Sequence, residues 1–88
     1  MPTTLKTHRF TLILRGVPRI TDSLEDAVLA AGCDDSLLWS RLGVTGLHFD
    51  REAESLGDAI GSAVKDVERA GLAVARVEVE APAEGRTR

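Results

Sequence analysis

Residues 44–80, VTGLHFDREAESLGDAIGSAVKDVERAGLAVARVEVE, change their hydrophobic period twice, and those two changes decide the fold. Val44 to Phe49 reads as a strand of period two, with Leu47 and Phe49 pointing inward. From Leu56 the apolar positions are Leu56, Ala59, Ile60, Ala63, Val64, Val67 and Ala70, the three-and-four spacing of an amphipathic helix. Ser55 opens that helix and Gly71 closes it. The period then returns to two: Ala73, Ala75, Val77 and Val79 fall on one face, Val74, Arg76, Glu78 and Glu80 on the other.

The preceding half has the same order. Phe10, Leu12 and Leu14 alternate with Arg9, Thr11, Ile13 and Arg15, and Gly16 and Pro18 end this strand. Asp22 can cap a helix with Glu25 three residues on, and Leu24, Ala27, Val28 and Ala31 follow at helical spacing before Gly32 stops it. Ser36 to Ser40 and Val44 to Phe49 then pair as a hairpin that turns at Arg41, Leu42 and Gly43. The βαββαβ order predicts an α+β, ferredoxin-like sandwich, a four-stranded antiparallel sheet with two helices on one face. Residues 8–80 form the single domain, and residues 1–7 and 81–88 are expected to be flexible tails.

Eighty-eight residues suffice for one thin core. At 43% hydrophobic and 28% charged, the composition is that of an ordinary globular chain. Phe10, Trp39 and Phe49 are its only aromatic residues, too few for a base-stacking surface. The lone Cys33 can close no internal disulfide, and no stretch has the length of a membrane span, so a reducing cytoplasm is the expected compartment. The formal charge is -3; leaving out Lys6, Glu84, Arg86 and Arg88 gives thirteen acids and eight bases, near -5, which opposes direct nucleic-acid binding.

The most unusual local feature is a run of five acids, Asp22, Glu25, Asp26, Asp34 and Asp35, between Thr21 and Ser40 with no Lys or Arg among them. The expected topology sets Asp34 and Asp35 beside Asp50, Glu52 and Glu54, with Arg51 offsetting part of the charge. Asp34 and Asp35 follow a helix C-terminus, where anions are disfavoured, so helix formation gives no reason for them. These acids form either an acidic surface that engages a basic partner or a solvated loop. The same carboxylates lack EF-hand spacing, so no metal site is expected.

Other candidates point away from catalysis. His8 and His48 differ in strand parity and should not converge. Cys33 follows a helix end that raises a thiol pKa and reads as a packing residue; Trp39 reads as core or hairpin anchor. No catalytic constellation and no cofactor site emerges, so no enzyme is expected. The sheet face that the helices leave open should carry Thr11, Ile13, Arg15, His48, Val74, Arg76 and Glu78, with Ile13, His48, Val74 and Arg76 as candidate contacts for dimerisation or regulation.

The segments HRFTLILRGV (8–17), LEDAVLAAGCDDSLL (24–38), FDREAESLGDAI (49–60) and DVERAGL (66–72) resemble a family of small, mostly uncharacterised bacterial and phage proteins. The likeness covers about residues 8–80 and is structural in content. Several of those relatives continue into a DNA-binding helix-turn-helix segment, and this sequence carries none through Arg88. In size, charge and expected fold the chain also resembles acidic anti-CRISPR inhibitors, some of which mimic DNA on type I effector complexes. That resemblance implies a non-enzymatic inhibitor docking on a basic, nucleic-acid-binding protein surface through Asp22, Glu25, Asp26, Asp34, Asp35, Asp50, Glu52 and Glu54. The alternative is a regulatory or dimerisation module of a transcriptional or toxin-antitoxin-type system, a monomer or weak homodimer working through its open sheet face and not at a membrane.

Overall fold

The computed structural model describes residues 5–79. Six elements follow one another: β1 Lys6–Leu14, α1 Asp22–Ala30, β2 Ser36–Arg41, β3 Val44–Ala53, α2 Leu56–Arg69 and β4 Val74–Val79. The strands form one antiparallel sheet in the order β2-β3-β1-β4. This α+β architecture is consistent with a ferredoxin-like sandwich. No helix among the described residues is long and apolar enough to cross a membrane.

Directly paired residues of an antiparallel ladder share a face, so the register sorts the side chains. Phe10 opposes Phe49, Leu12 opposes Leu47, and Leu38 opposes Leu47 from the other side. These side chains form one cluster with Leu24 and Val28 of α1 and with Ala59, Ala63 and Val67 of α2, which puts both helices on the same face. Alanines at two of the three buried α2 positions let that helix sit close to the sheet. The Phe10 and Phe49 rings stack with centroids 5.3 Å apart, at the centre of the core.

Several boundaries differ from the expected ones. Thr21, not Asp22, caps α1: its hydroxyl accepts from the Leu24 amide at 3.2 Å, and Asp22 is the first helical residue. β1 begins at Lys6, so residues 6 and 7 belong to the sheet and not to a tail; residues 1–4 and 80–88, which include the expected C-terminal tail, lie outside the described residues. β3 continues past Phe49 to Ala53 because the early start of β1 offers it partners, with Lys6 opposite Ala53 and His8 opposite Arg51. The hairpin turns on two residues, Leu42 and Gly43, with φ of 53° and 78°, the signature of a type I′ turn.

Val74 requires a correction of another kind. Strict alternation puts it on the open face, but the register of β4 against β1 shifts between Ile13 and Leu14. Val74 therefore pairs with Leu14 and packs against the core, while Arg76 and Glu78 pair with Ile13 and Thr11 on the open face.

Candidate functional site

With the helices on one side, the opposite face of the sheet is free. Its rows follow from the register: Leu37, His48, Thr11 and Glu78 run across one line, and Trp39, Gly46, Ile13 and Arg76 across the next. The expected membership of Ile13, His48 and Arg76 holds, and that of Val74 does not. Ile13 is nonetheless only 3% exposed, although no helix lies over it. The Trp39 ring covers its cross-strand neighbour. The indole ring lies across Gly46, so close that a Cβ there would sit 2.5 Å from Cζ2 and 2.7 Å from Cε2, and Gly46 is Ile13's partner on β3. An aromatic ring filling the space left by a cross-strand glycine is a known way of shielding sheet backbone.

Trp39 and Gly46 are thus the residues that the sequence reading missed on this face. A signal existed: Trp39 and Gly46 flank a short hairpin at positions that must face each other once the turn is fixed at Leu42 and Gly43. Beside the ring, Leu37 is 68% exposed and Val44 39% exposed, which extends an apolar strip along the β2–β3 side.

A line of polar groups borders the strip. The Thr11 hydroxyl and His48 Nδ1 are 3.0 Å apart, and His48 Nε2 lies 3.8 Å from Asp50 Oδ1, which Arg9 also approaches at 3.4 Å. Hydroxyl, imidazole and carboxylate in a row resemble a nucleophile relay, but the imidazole–carboxylate separation exceeds hydrogen-bond length and Asp50 is shared with a guanidinium. His8, by contrast, is on the helix side, 3.2 Å from the Ala53 carbonyl through Nε2, so the two imidazoles do not converge.

The acidic residues divide into groups. Asp50 and Glu52 project from the open face near the end of β3, and the Asp50 amide donates to the Asp35 carbonyl at 3.1 Å, so the loop after α1 and the end of β3 do meet. Asp35, however, is not free. Arg51 alternates to the helix side and grips its carboxylate with two hydrogen bonds of 2.7 and 2.9 Å, while also reaching Asp66 at 3.0 Å, Ser62 at 3.1 Å and the Gly32 carbonyl at 3.2 Å. The Asp35 carboxylate above all, and Asp66 after it, push the Arg51 pKa further upward against the opposing effect of burial. Arg69 closes the cluster by binding Asp66 and the Ala31 carbonyl, both at 3.2 Å.

Asp34, Glu52 and Glu54 are exposed, with no cationic partner among the described residues. Asp22 stands at the opposite end of the molecule, at the start of α1, and Glu25 and Asp26 line an open crevice between α1 and β2 that is floored by Val28, Cys33 and Leu38. The eight expected acids therefore do not make one surface. Among the described residues, no three His, Cys, Asp or Glu side chains converge as metal ligands. No family model, no curated protein and no solved structure matches this chain.

Proposed function

We propose that this chain is a ferredoxin-like binding module without catalytic activity, a regulatory element that docks its partner on the open sheet face. The observation that carries this reading is the Trp39 ring over Gly46, beside an exposed Leu37 and above the row that contains a buried Ile13. Shielding of the Gly46 backbone accounts for the indole, but not for the exposed Leu37 and Val44 that extend the apolar strip beside it. A fixed aromatic side chain with apolar neighbours and a polar border is the composition of an interface core with its rim. His48 and Arg76 belong to that border.

The experiment is a pull-down from host lysate with wild type, Leu37→Asp and Asp34→Lys/Asp35→Lys, at low and moderate salt. Docking on the sheet face predicts that Leu37→Asp loses the captured protein and the double lysine variant keeps it. The reverse pattern supports the second reading, an acidic inhibitor that covers a basic surface as anti-CRISPR DNA mimics do. The observation in favour of that reading is narrower: Asp34, Glu52 and Glu54 stay exposed and unpaired among the described residues, while Asp35 is held by Arg51. Binding that falls steeply with salt would mark it.

A further inference from the structure

We infer that the occupant of the open face is a second copy of this chain, packed face to face about a two-fold axis that runs across the strands, so that the acidic end of each sheet covers the basic end of the other. This rests on the reading of that face as a docking surface and names what docks there.

Charge complementarity carries the inference. At one end of the face Asp50 and Glu52 project beside Thr7 over a shallow depression that continues round the sheet end to the Asp35–Arg51 pair on the helix side. At the other end a second depression includes Ile13, Arg15, Val44 and Arg76, and Arg41 projects from the adjoining strand end. Pairing of Arg9 with Asp50 and of Arg76 with Glu78 cancels part of the charge at each end. Glu52 on one side and Arg15 and Arg41 on the other have no ion-pair partner among the described residues. A face with opposite signs at its two ends matches itself when one copy is turned end for end; stacked in the same direction, it would set acid on acid.

A two-fold axis across the strands performs that turn and makes the contact isologous. The same rotation leaves β2 over β2, so the strip of Leu37 and Trp39 is buried against its own copy, where opposed apolar surfaces leave water together. Four strands about 4.8 Å apart and about six residues deep give a footprint on the order of 400 Å² per copy, below the roughly 800 Å² of a standard interface. The dimer is accordingly weak and forms at high concentration.

Sedimentation equilibrium of the full chain tests this, from about 10 μM to about 1 mM, the span over which a weak interface of this size associates. Wild type should rise from the mass of one chain toward that of two. Arg15→Glu/Arg41→Glu, acidic at both ends, and Asp50→Lys/Glu52→Lys, basic at both ends, should each stay monomeric. Mixed in equal amounts they should associate at least as tightly as wild type. Circular dichroism melts confirm that each variant is folded, and the single variants Arg41→Glu and Glu52→Lys replace any double variant that is not. Wild type that remains monomeric throughout, or variants that self-associate as wild type does, overturns the proposal. A monomeric wild type that still loses a lysate partner on Leu37→Asp removes the second copy and leaves the docking face standing; a monomer that captures nothing removes both.

Discussion

Arg51 and Asp35 are joined through two arms of the guanidinium fork, Nε to Oδ2 at 2.7 Å and Nη2 to Oδ1 at 2.9 Å. The pair fastens the start of β2 to the end of β3, and through Asp66 the same guanidinium fastens both to α2. The Arg51 side chain is 11% exposed and lies 5.1 Å from the Phe49 ring centroid, so it is a cation roofed by the core and held by two carboxylates. Asp35 therefore serves the fold before it serves any partner.

Removal of the guanidinium leaves Asp35 with no cation among the described residues and Asp66 with Arg69 alone. Arg51→Met should destabilise the domain by about 2–3 kcal/mol, somewhat less than the loss of one partner from a fully buried pair because Asp35 is partly solvated. Arg51→Lys should cost about half as much, since one ammonium cannot reproduce the fork. Urea denaturation of the three proteins checks this; an Arg51→Met midpoint equal to wild type would show the cluster to be a surface decoration.

At Gly46 the expected effect is steric. An added methyl group would lie 2.5 Å from the Trp39 ring, so Gly46→Ala should push the indole off the sheet and cost about 1–3 kcal/mol. Trp39 is the only tryptophan, so its fluorescence reports the site without interference. The emission maximum should move to the red in the folded variant, and an unshifted spectrum would mean that the ring does not rest on that glycine.

Much of this fold could be read from periodicity, and each point where that reading fails has its own physical cause. Both helices and three strands follow from runs of clear apolar spacing, as in Leu56 to Ala70, and β2, where Leu37, Leu38 and Trp39 are contiguous, follows from its place in the hairpin. Val74 was misassigned because a bulge breaks strict alternation, and its only trace in the sequence is local: either Val74 or Ala75 fits the inward position. Thr21 and Asp22 are both good capping residues one position apart, so propensity could not choose between them. At the site, counting charges grouped acids that the topology separates, and it missed Asp66. Ser62, Asp66 and Arg69 recur at i, i+4 and i+7 along the edge of the apolar stripe, a pattern of polar residues aimed at a neighbouring element.

Cys33 is 1% exposed, and burial, reinforced by the nearby Asp66 carboxylate and opposed by Arg51, pushes its thiol from its ordinary 9.0 up to about 11. The native protein should react with a thiol reagent at neutral pH far more slowly than the denatured chain. A pKa that is higher in the folded state means that the protein keeps its thiol proton where the unfolded chain has begun to lose it. The resulting stabilisation is fully present below about pH 9 and is lost as pH rises toward about 11. Melts of wild type and Cys33→Ala across that window separate this effect from titration elsewhere: the stability difference between them should change between those values and stay flat below.

Leu42 sits in the left-handed region at φ 53° and is 94% exposed, so it bears backbone strain without packing contacts that would justify it. A type I′ turn asks for positive φ at both central residues, which Gly43 meets freely at 78° and a leucine does not. Asparagine tolerates that conformation, and Asn-Gly is the preferred pair for this turn. Leu42→Asn should therefore stabilise the domain by about 0.5–1 kcal/mol, which for a chain of this size raises the melting temperature by roughly 2–8 °C. The gain should appear in thermal melts at low protein concentration. Should Leu42→Asn instead melt lower than wild type, the leucine must be making a contact that outweighs its strained backbone, and the hairpin tip would become part of the docking surface it borders.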